Sequence, residues 1–185
     1  MQGIAGMAEG ADLKVICSDF ACWRNPGPAH LPEQNGRLRW IVALTHRIPA
    51  PFMKFSELSI GQTAEMTVHI TPEMVTGFAD ITGDRNPLHT DPAYAEPRFG
   101  GVIAHGVLLV GFFSALLATE LPGPGAVARA LNVRFKSPAR PGDDVRVEVK
   151  IVELVPRIRK AVLEGRAYVG DRLLLQISAE TLLEE

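Results

Sequence analysis

The chain has 185 residues, which is enough for one domain with a substantial core and short for two. Hydrophobic residues make up 46% of the chain and charged residues 22%, as in a globular protein, and the net charge of −2 gives no broad positive field for nucleic acid or an anionic membrane. We therefore expect no nucleic-acid partner and no membrane partner.

The start of the sequence lacks the pattern of a secretory signal, since no basic stretch followed by an apolar one occurs in its first twenty residues. The long apolar run at 106–121 falls short of the ~20 residues that span a bilayer. Cys17 and Cys22 are the only cysteines, and their spacing fits neither a CxxC redox pair nor a complete zinc site. These features predict a cytoplasmic protein with two incidental thiols.

The composition changes near residue 52. Residues 1–52 hold both cysteines, both tryptophans and five of the fourteen prolines, and they show no sustained period beyond a short patch at 38–44. From Met53 onward the pattern is regular, so we expect residues 53–185 to form one domain. We interpret residues 1–52 as an extension of uncertain order, with Met53 as the native start. A segment that packs on the domain is the alternative.

The first regular elements are a strand and a helix. Alternation with period 2 predicts a half-buried strand whose inward residues are Ala64, Met66, Val68 and Ile70. Thr71 suits the N-cap of the helix that follows, Pro72 its first position, and Glu73 the positive end of its dipole. We expect this helix to run to about Thr82 and to end at Gly83.

The run DRNPLH at 84–89 follows the helix and forms a bend. Pro87 removes a backbone donor and disfavours helical dihedrals at Asn86, so the helix does not continue. Residues five apart in a regular helix diverge by about 140°, whereas the bend lets Asp84 and His89 converge. A carboxylate and an imidazole that share one small volume hold and deprotonate a water, and such groups contribute ~10²–10⁴-fold each. We predict Asp84 and His89 as a catalytic pair.

Three other interpretations of this run compete with that prediction. In the first, Asp84 serves only to form an Asx turn after the helix. In the second, His89 serves only to bond a backbone carbonyl. The third is a metal site that includes Asp91. One histidine and two carboxylates in a tight loop form a weak ligand set, so we predict no metal here.

A second helix is predicted from Gly106 to about Glu120. It is apolar on nearly every face, so other elements must bury it, and a curved antiparallel sheet is the structure that the predicted strands can form around it. Gly106 stands where backbone N–H groups lack partners and the helix carries roughly half a positive charge. Without a side chain, Gly106 admits a ligand oxygen to its N–H, and such donors contribute ~2.7–4 kcal/mol to transition-state stabilisation. Packing or capping is the alternative role.

Four more alternating segments follow this helix. Their inward residues, in chain order, are Leu131, Val133 and Phe135; Val145, Val147, Val149 and Ile151; Ala161, Leu163, Ala167 and Val169; and Leu173, Leu175, Ile177 and Ala179. Gly170 and Asp171 supply a turn, so we expect the last two strands to form a hairpin. One buried helix enclosed by a curved sheet of about five antiparallel strands predicts an α+β fold of the hot-dog type.

Two stretches of the sequence together resemble the MaoC-like hot-dog hydratases. These are FADITGDRNPLHTD at 78–91 and FGGVIAHG at 99–106, and the combination of DxNPxH with a downstream AHG is specific. The similarity is greatest to the (R)-specific enoyl-CoA hydratases. It extends from about Met53 to Leu183 and leaves residues 1–52 outside.

The resemblance implies a homodimer that reversibly hydrates trans-2-enoyl-CoA, an acyl-CoA thioester, to (R)-3-hydroxyacyl-CoA. It implies no metal and no organic cofactor. Asp84 and His89 would activate one water for syn addition, with His89 as base and Asp84 assisting proton delivery to the α-carbon. The N–H of Gly106 would hold the thioester oxygen as enolate charge develops. Physiologically, the reaction would run as hydration, supplying polyhydroxyalkanoate monomers, or as dehydration.

Two further residues receive supporting roles from the same resemblance. Asn86 would orient the water or the catalytic pair. Ser114 matches a family serine on the central helix near the site, and a hydroxyl bonded back to Val110 is its alternative.

Three other functions stay open at this point. A 3-hydroxyacyl-ACP dehydratase would keep the chemistry and need a basic rim for its acidic carrier, from Arg98, Arg134, Lys136 and Arg140, although the same residues also suit the phosphates of CoA. A hot-dog thioesterase would direct water at the thioester carbonyl itself. A non-catalytic acyl-CoA-binding module would need no pair at all.

Overall fold

A six-stranded antiparallel sheet packs against one apolar helix in the computed structural model, which describes residues 13–16 and 53–183. The strands are β1 Leu13–Ile16, β2 Thr63–His69, β3 Val127–Phe135, β4 Asp144–Val155, β5 Lys160–Val169 and β6 Arg172–Leu182. The helices are α1 Pro72–Thr82, α2 Pro87–Thr90, α3 Pro92–Phe99 and α4 Gly106–Thr119. Two 3₁₀ turns occupy Phe55–Glu57 and Pro156–Ile158. Along the sheet the order is β1-β3-β6-β5-β4-β2.

All five predicted strands are present as β2 to β6, and β5 and β6 form the predicted hairpin. The period-2 pattern is clearest in β4, where Val145, Val147, Val149 and Ile151 are all buried. These side chains join Leu109, Phe113, Leu116 and Leu117 of α4 in the hydrophobic core. The predicted α+β hot-dog architecture is therefore confirmed.

Helix α1 begins and ends as predicted. The hydroxyl of Thr71 accepts a hydrogen bond from the N–H of Met74 at 3.3 Å, and Gly83 closes the helix in the left-handed region at φ 77°. Hydrogen bonds from its own backbone N–H and from the Thr71 hydroxyl lower the pKa of Glu73, which fits a carboxylate in the first turn of a helix.

Two inward-facing assignments differ from the structure. Phe135 was expected inside, but it is 49% exposed, because β3 ends there and the ring lies over the start of α4 instead of the core. In β6, a register irregularity opposite Ala167 and Tyr168 disturbs the alternation, so Leu174 and Leu175 are both buried while Leu173 is only half-buried. The extra residue interrupts the alternation locally, and Leu175, Ile177 and Ala179 beyond it are buried as predicted.

Only one face of α4 is covered by the sheet of its own chain. Val107 is 52% exposed, and the residues that share its side of the helix are small and exposed, namely Gly111, Ser114, Ala115 and Ala118. The sheet of a single chain therefore covers one side of α4 and leaves the side of Val107 exposed.

Helices α2 and α3 were not predicted. Asn86 caps α2 by accepting from the N–H of Leu88, and Asp91 caps α3 by accepting from the N–H groups of Ala93 and Tyr94. Each cap is followed by a proline at the first helical position, a start signal that is legible in the sequence. These two short helices carry the chain from the end of α1 to the start of α4.

Most of the N-terminal 52 residues lie outside the described part of the chain, and with them both cysteines. Within it, β1 pairs antiparallel with β3, and Leu13 stands opposite Val133. The boundary near residue 52 and the start at Met53 stay predictions. None of the described helices has the length and apolar character to cross a membrane.

Candidate active site

A sequence of local turns positions the predicted catalytic pair. Gly83 ends α1, and the Oδ1 atom of Asp84 then accepts a hydrogen bond from the N–H of Asn86 at 3.2 Å. Asn86 in turn caps α2, on which His89 is the third residue. The chain thus reverses between Asp84 and His89, as the proline bend predicted.

Three side chains converge at this bend. A carboxylate oxygen of Asp84, a ring nitrogen of His89 and a ring nitrogen of His105 all lie within 4.8 Å of one another. The Nδ1 atom of His89 lies 2.7 Å from the carbonyl oxygen of Ile103. Since a carbonyl only accepts, Nδ1–H is the donor, and the lone pair of a neutral ring is then on Nε2.

Both structural alternatives for the pair correspond to real hydrogen bonds. Asp84 forms an Asx turn through Oδ1, and His89 bonds a backbone carbonyl through Nδ1. Each bond uses one atom and leaves the other, Oδ2 or Nε2, without a partner among the described residues. The two bonds therefore orient the side chains and leave an acceptor on each.

His105 is the residue of this cluster that the sequence interpretation left without a role, although it stands in the AHG motif. It is only 2% exposed, and its Nε2 lies 3.0 Å from the carbonyl oxygen of Asp84. Its ring stacks on that of His89, with centroids 3.8 Å apart and planes inclined by 30°, and also contacts the ring of Phe78. Its Nδ1 is buried without a hydrogen-bond partner among the described residues.

The donor set fits a metal ion poorly. Histidine ligands of one ion point their in-plane lone pairs at a common centre. The rings of His89 and His105 are stacked, so their lone pairs lie in nearly parallel planes that do not meet nearby. The hydrogen bonds to the carbonyls of Ile103 and Asp84 occupy one nitrogen of each ring and leave one nitrogen on each for proton transfer. The arrangement is suited to moving protons.

Gly106 and His89 line the same cavity, whose volume is about 360 Å³. As the first residue of α4, Gly106 has an N–H without a partner inside the helix. The ring of Phe135 lies so close that a Cβ at position 106 would be 2.6 Å from its Cε1 atom. The rest of the wall is mainly apolar, with Phe99, Ile103, Val107, Leu109 and Pro138. A larger cavity, along β2, β4 and β5, contains none of the predicted site residues.

The two supporting residues stand apart from this cavity. The side-chain oxygen of Asn86 caps α2 at 3.3 Å from the N–H of Leu88. Ser114 lies eight residues beyond Gly106, about 12 Å along α4, on the exposed side of the helix. Its predicted alternative, a bond to the carbonyl of Val110, is not among the hydrogen bonds of the described residues. The roles of both residues stay predictions.

Comparisons with known proteins identify similar chains. Residues 56–170 match the family model of the MaoC like domain. A 3-hydroxybutyryl-CoA dehydratase of Methylorubrum extorquens is 44% identical over 122 residues, which are 65% of this chain and 78% of that protein. An (R)-specific enoyl-CoA hydratase of Rhodospirillum rubrum is 38% identical over 130 residues, 70% of this chain and 90% of that protein. The solved structure of the (R)-hydratase from A. caviae involved in PHA biosynthesis superposes with a TM-score of 0.66 at 36% identity, covering 69% of this chain and 98% of that one.

Proposed function

The chain belongs to the family of the MaoC like domain, and on that premise we propose that its site reversibly hydrates trans-2-enoyl-CoA to (R)-3-hydroxyacyl-CoA. The chain is an enzyme of the hydro-lyase class, and its relatives are named as hydratases and dehydratases of CoA thioesters. The roles of individual residues and the identity of the acyl group belong to the proposal.

The observation that carries the proposal is the convergence of Asp84 and His89 beside the cavity that Gly106 lines. Their polar atoms lie within 4.8 Å of each other, a separation that one bridging water spans. One hydrogen bond holds each group, and Oδ2 and Nε2 have no partner within the part of the chain that the structure describes. Such an arrangement suits two groups that handle the protons of one water.

In the proposed reaction, Nε2 of His89 takes a proton from the water as its oxygen bonds to the β-carbon of the enoyl group. The electrons of the double bond move toward the thioester, and the N–H of Gly106 donates to the oxygen on which enolate charge develops. The proton that His89 has taken up is then delivered to the α-carbon with the assistance of Asp84, so one water is added across the double bond and His89 is neutral again. The reverse sequence removes the water. No metal or organic cofactor takes part.

The proposal also names CoA, and not an acyl carrier protein, as the carrier of the acyl group, and the positions of the basic residues support this choice. Arg140 donates to the carbonyl of Gly100 at 2.7 Å and to that of Phe99, and Arg98 lies over the ring of Tyr94. Arg134 lines a different cavity. Of the four residues predicted for a basic rim, only Lys136 lines the cavity of His89 and Gly106. One lysine favours a CoA phosphate over the broad acidic surface of a carrier protein.

We also propose that the enzyme is a homodimer in the cytoplasm. The row of small residues that α4 exposes beside Val107 would let a second backbone approach closely. Light scattering behind size exclusion is expected to give the mass of two chains, and a monomeric mass would contradict this part. Hydration would supply (R)-3-hydroxyacyl units of the kind that polyhydroxyalkanoates contain.

The experiment that tests the proposed function is product analysis with matched thioesters. Crotonyl-CoA should be converted to (R)-3-hydroxybutyryl-CoA without release of free thiol, and turnover should fall with the corresponding carrier-protein thioester. Faster turnover of the carrier-protein thioester would favour the ACP dehydratase. Thiol release without hydration would identify a thioesterase, and binding without turnover would identify a binding module.

A further inference from the structure

We propose that His105 is a positioning residue that holds Asp84, His89 and Gly106 in one arrangement. The inference rests on the proposed function, because it assigns His105 a part in that reaction without contact to the reacting atoms.

The first link is the hydrogen bond from His105 to the bend. Its Nε2–H donates to the carbonyl of Asp84 at 3.0 Å, across 21 residues of sequence. The other hydrogen bonds of Asp84 among the described residues are local, from its N–H to Thr82 and from the N–H of Asn86 to its Oδ1. Local turns shape the bend but do not tie it to the rest of the fold. His105 connects it to the start of α4.

The second link is the stacked pair of rings. The imidazoles of His89 and His105 lie 3.8 Å apart between centroids, and Phe78 contacts His105 at 4.8 Å. Because His105 is buried and its Nε2 is fixed by the Asp84 carbonyl, its ring forms a rigid surface for His89. Together with the bond from Nδ1 to Ile103, this surface restricts rotation of the His89 ring. The Nε2 atom of His89 therefore keeps one direction.

The third link is covalent, since His105 is the N-cap residue of α4 and precedes Gly106 directly. A displacement of His105 would move the N–H proposed to hold the thioester oxygen. One residue is thus connected to the carboxylate, the imidazole and the oxyanion donor.

The unpartnered Nδ1 of His105 indicates that the histidine has a positioning role and is not there for packing alone. A buried polar atom without a hydrogen bond lowers stability, and an apolar ring would remove that cost while losing the bond from Nε2 to Asp84. Packing alone therefore gives no reason for histidine here. The donor on Nε2 is the property that Phe lacks.

Two substitutions divide the functions of the ring. H105F keeps a ring to stack on His89 and removes the donor to Asp84. H105Q removes the ring, but its amide N–H₂ reaches about as far along the side chain as the Nε2 of histidine. H69Q is the matched control, because His69 is an exposed histidine that pairs with Asp144 and does not line the cavity of His89 and Gly106.

For H105F we expect kcat to fall about 10²-fold, the cost of misplacing a catalytic group by about an ångström, with KM within about 3-fold. The melting temperature should stay near that of wild type, because removal of the unpartnered Nδ1 offsets loss of the bond to Asp84. For H105Q we expect kcat at least about 5-fold above that of H105F, and for H69Q wild-type kinetics. Wild-type kcat in H105F would overturn the proposal, as would a loss of kcat matched by a loss of folded protein in both variants.

A second measurement does not depend on activity or on folding of the variants. Nitrogen-15 NMR of the wild-type imidazoles should show hydrogen on Nε2 of His105 and on Nδ1 of His89. Hydrogen on Nδ1 alone of His105 would overturn the proposal. If the wild-type protein hydrates no enoyl thioester, the proposed function fails. If D84N and H89A abolish turnover while H105F does not, only the role of His105 fails.

Discussion

The sheet with α4 and the bend that carries Asp84 and His89 are held in place by different interactions. Buried side chains of β4, β5, β6 and α4 form one continuous core. The bend is exposed at Asp84, and it keeps its shape through Asx turns, a capped four-residue helix and the bonds to Ile103 and His105. Changes in the core should therefore lower stability, whereas changes at the bend should lower turnover while the protein stays folded.

The largest effect outside the proposed catalytic pair is expected for Gly106→Ala. The added Cβ would lie 2.6 Å from the ring of Phe135 and beside the N–H that is proposed to bind the thioester oxygen. We expect kcat for crotonyl-CoA to fall about 10²-fold, the size measured for loss of one oxyanion donor. Steady-state kinetics measure the loss of turnover, and thermal unfolding measures any loss of stability from the contact with the Phe135 ring.

Phe135→Ala provides the control for this substitution. If the methyl group acts by crowding the ring alone, G106A/F135A should recover wild-type kcat. We expect recovery of less than about 10-fold, because the methyl group also obstructs the thioester oxygen. A G106A variant within about 3-fold of wild type would remove Gly106 from the mechanism.

Gly165→Ala tests the core side of the comparison. A Cβ at this position would lie 2.1 Å from the Cε2 atom of Phe113 and 2.9 Å from the carbonyl oxygen of Glu148. Because Phe113 is fully buried and the carbonyl belongs to a central strand, neither neighbour moves freely. We expect the free energy of unfolding to fall by about 1–3 kcal/mol, as for other overpacked cores.

Denaturant unfolding measures that loss, and kcat per folded molecule should stay near the wild-type value. Glu164→Ala, one residue earlier on the exposed face of β5, should change stability by less than about 0.5 kcal/mol. Equal losses in both variants would show that the contact with Phe113 is not the cause.

A smaller effect is expected when the cap of α2 is removed. Asn86→Ala deletes the acceptor for the N–H of Leu88, and a lost cap costs about 0.5–2 kcal/mol, here concentrated on the helix that carries His89. We expect kcat to fall about 10-fold. Asn86→Ser retains a capping oxygen and should recover most of it. An inactive but folded N86S would instead assign the amide a direct part in orienting the water.

The smallest effect is expected for Ser114→Ala. Its hydroxyl lies on the exposed side of α4, about 12 Å along the helix from Gly106. We expect kcat to stay within about 3-fold of wild type and the free energy of unfolding to change by less than about 0.5 kcal/mol. A larger loss of kcat would give Ser114 the supporting role that the resemblance implies.

Features of the fold that follow from local sequence patterns could be predicted, whereas those that depend on how strands end and pair could not. Strand β4 and helix α1 follow from local patterns, alternation in one and Thr71, Pro72 and Gly83 in the other, and both were predicted correctly. The exposed position of Phe135 and the irregularity near Leu174 depend on where strands end and how they pair. Helices α2 and α3 are too short for a period to be visible.

The site shows a similar division. The DxNPxH motif places Asp84 and His89 on one bend, because local turn chemistry reverses the chain between them. The contacts of His105 join residues 21 and 16 positions apart, and no local pattern indicates them. The sequence therefore predicted that Asp84 and His89 converge, but not the residue that links their bend to α4.

The most direct test of the central claim is a double-mutant cycle of Asp84→Asn and His89→Ala on the hydration of crotonyl-CoA. Asp144→Asn and His69→Ala, a surface pair of the same residue types, serve as the control. If both groups act on one water, each single variant loses at least ~10² in kcat and the double variant loses little more. Losses that multiply in the double variant, or single variants that stay near wild type, would contradict a shared water.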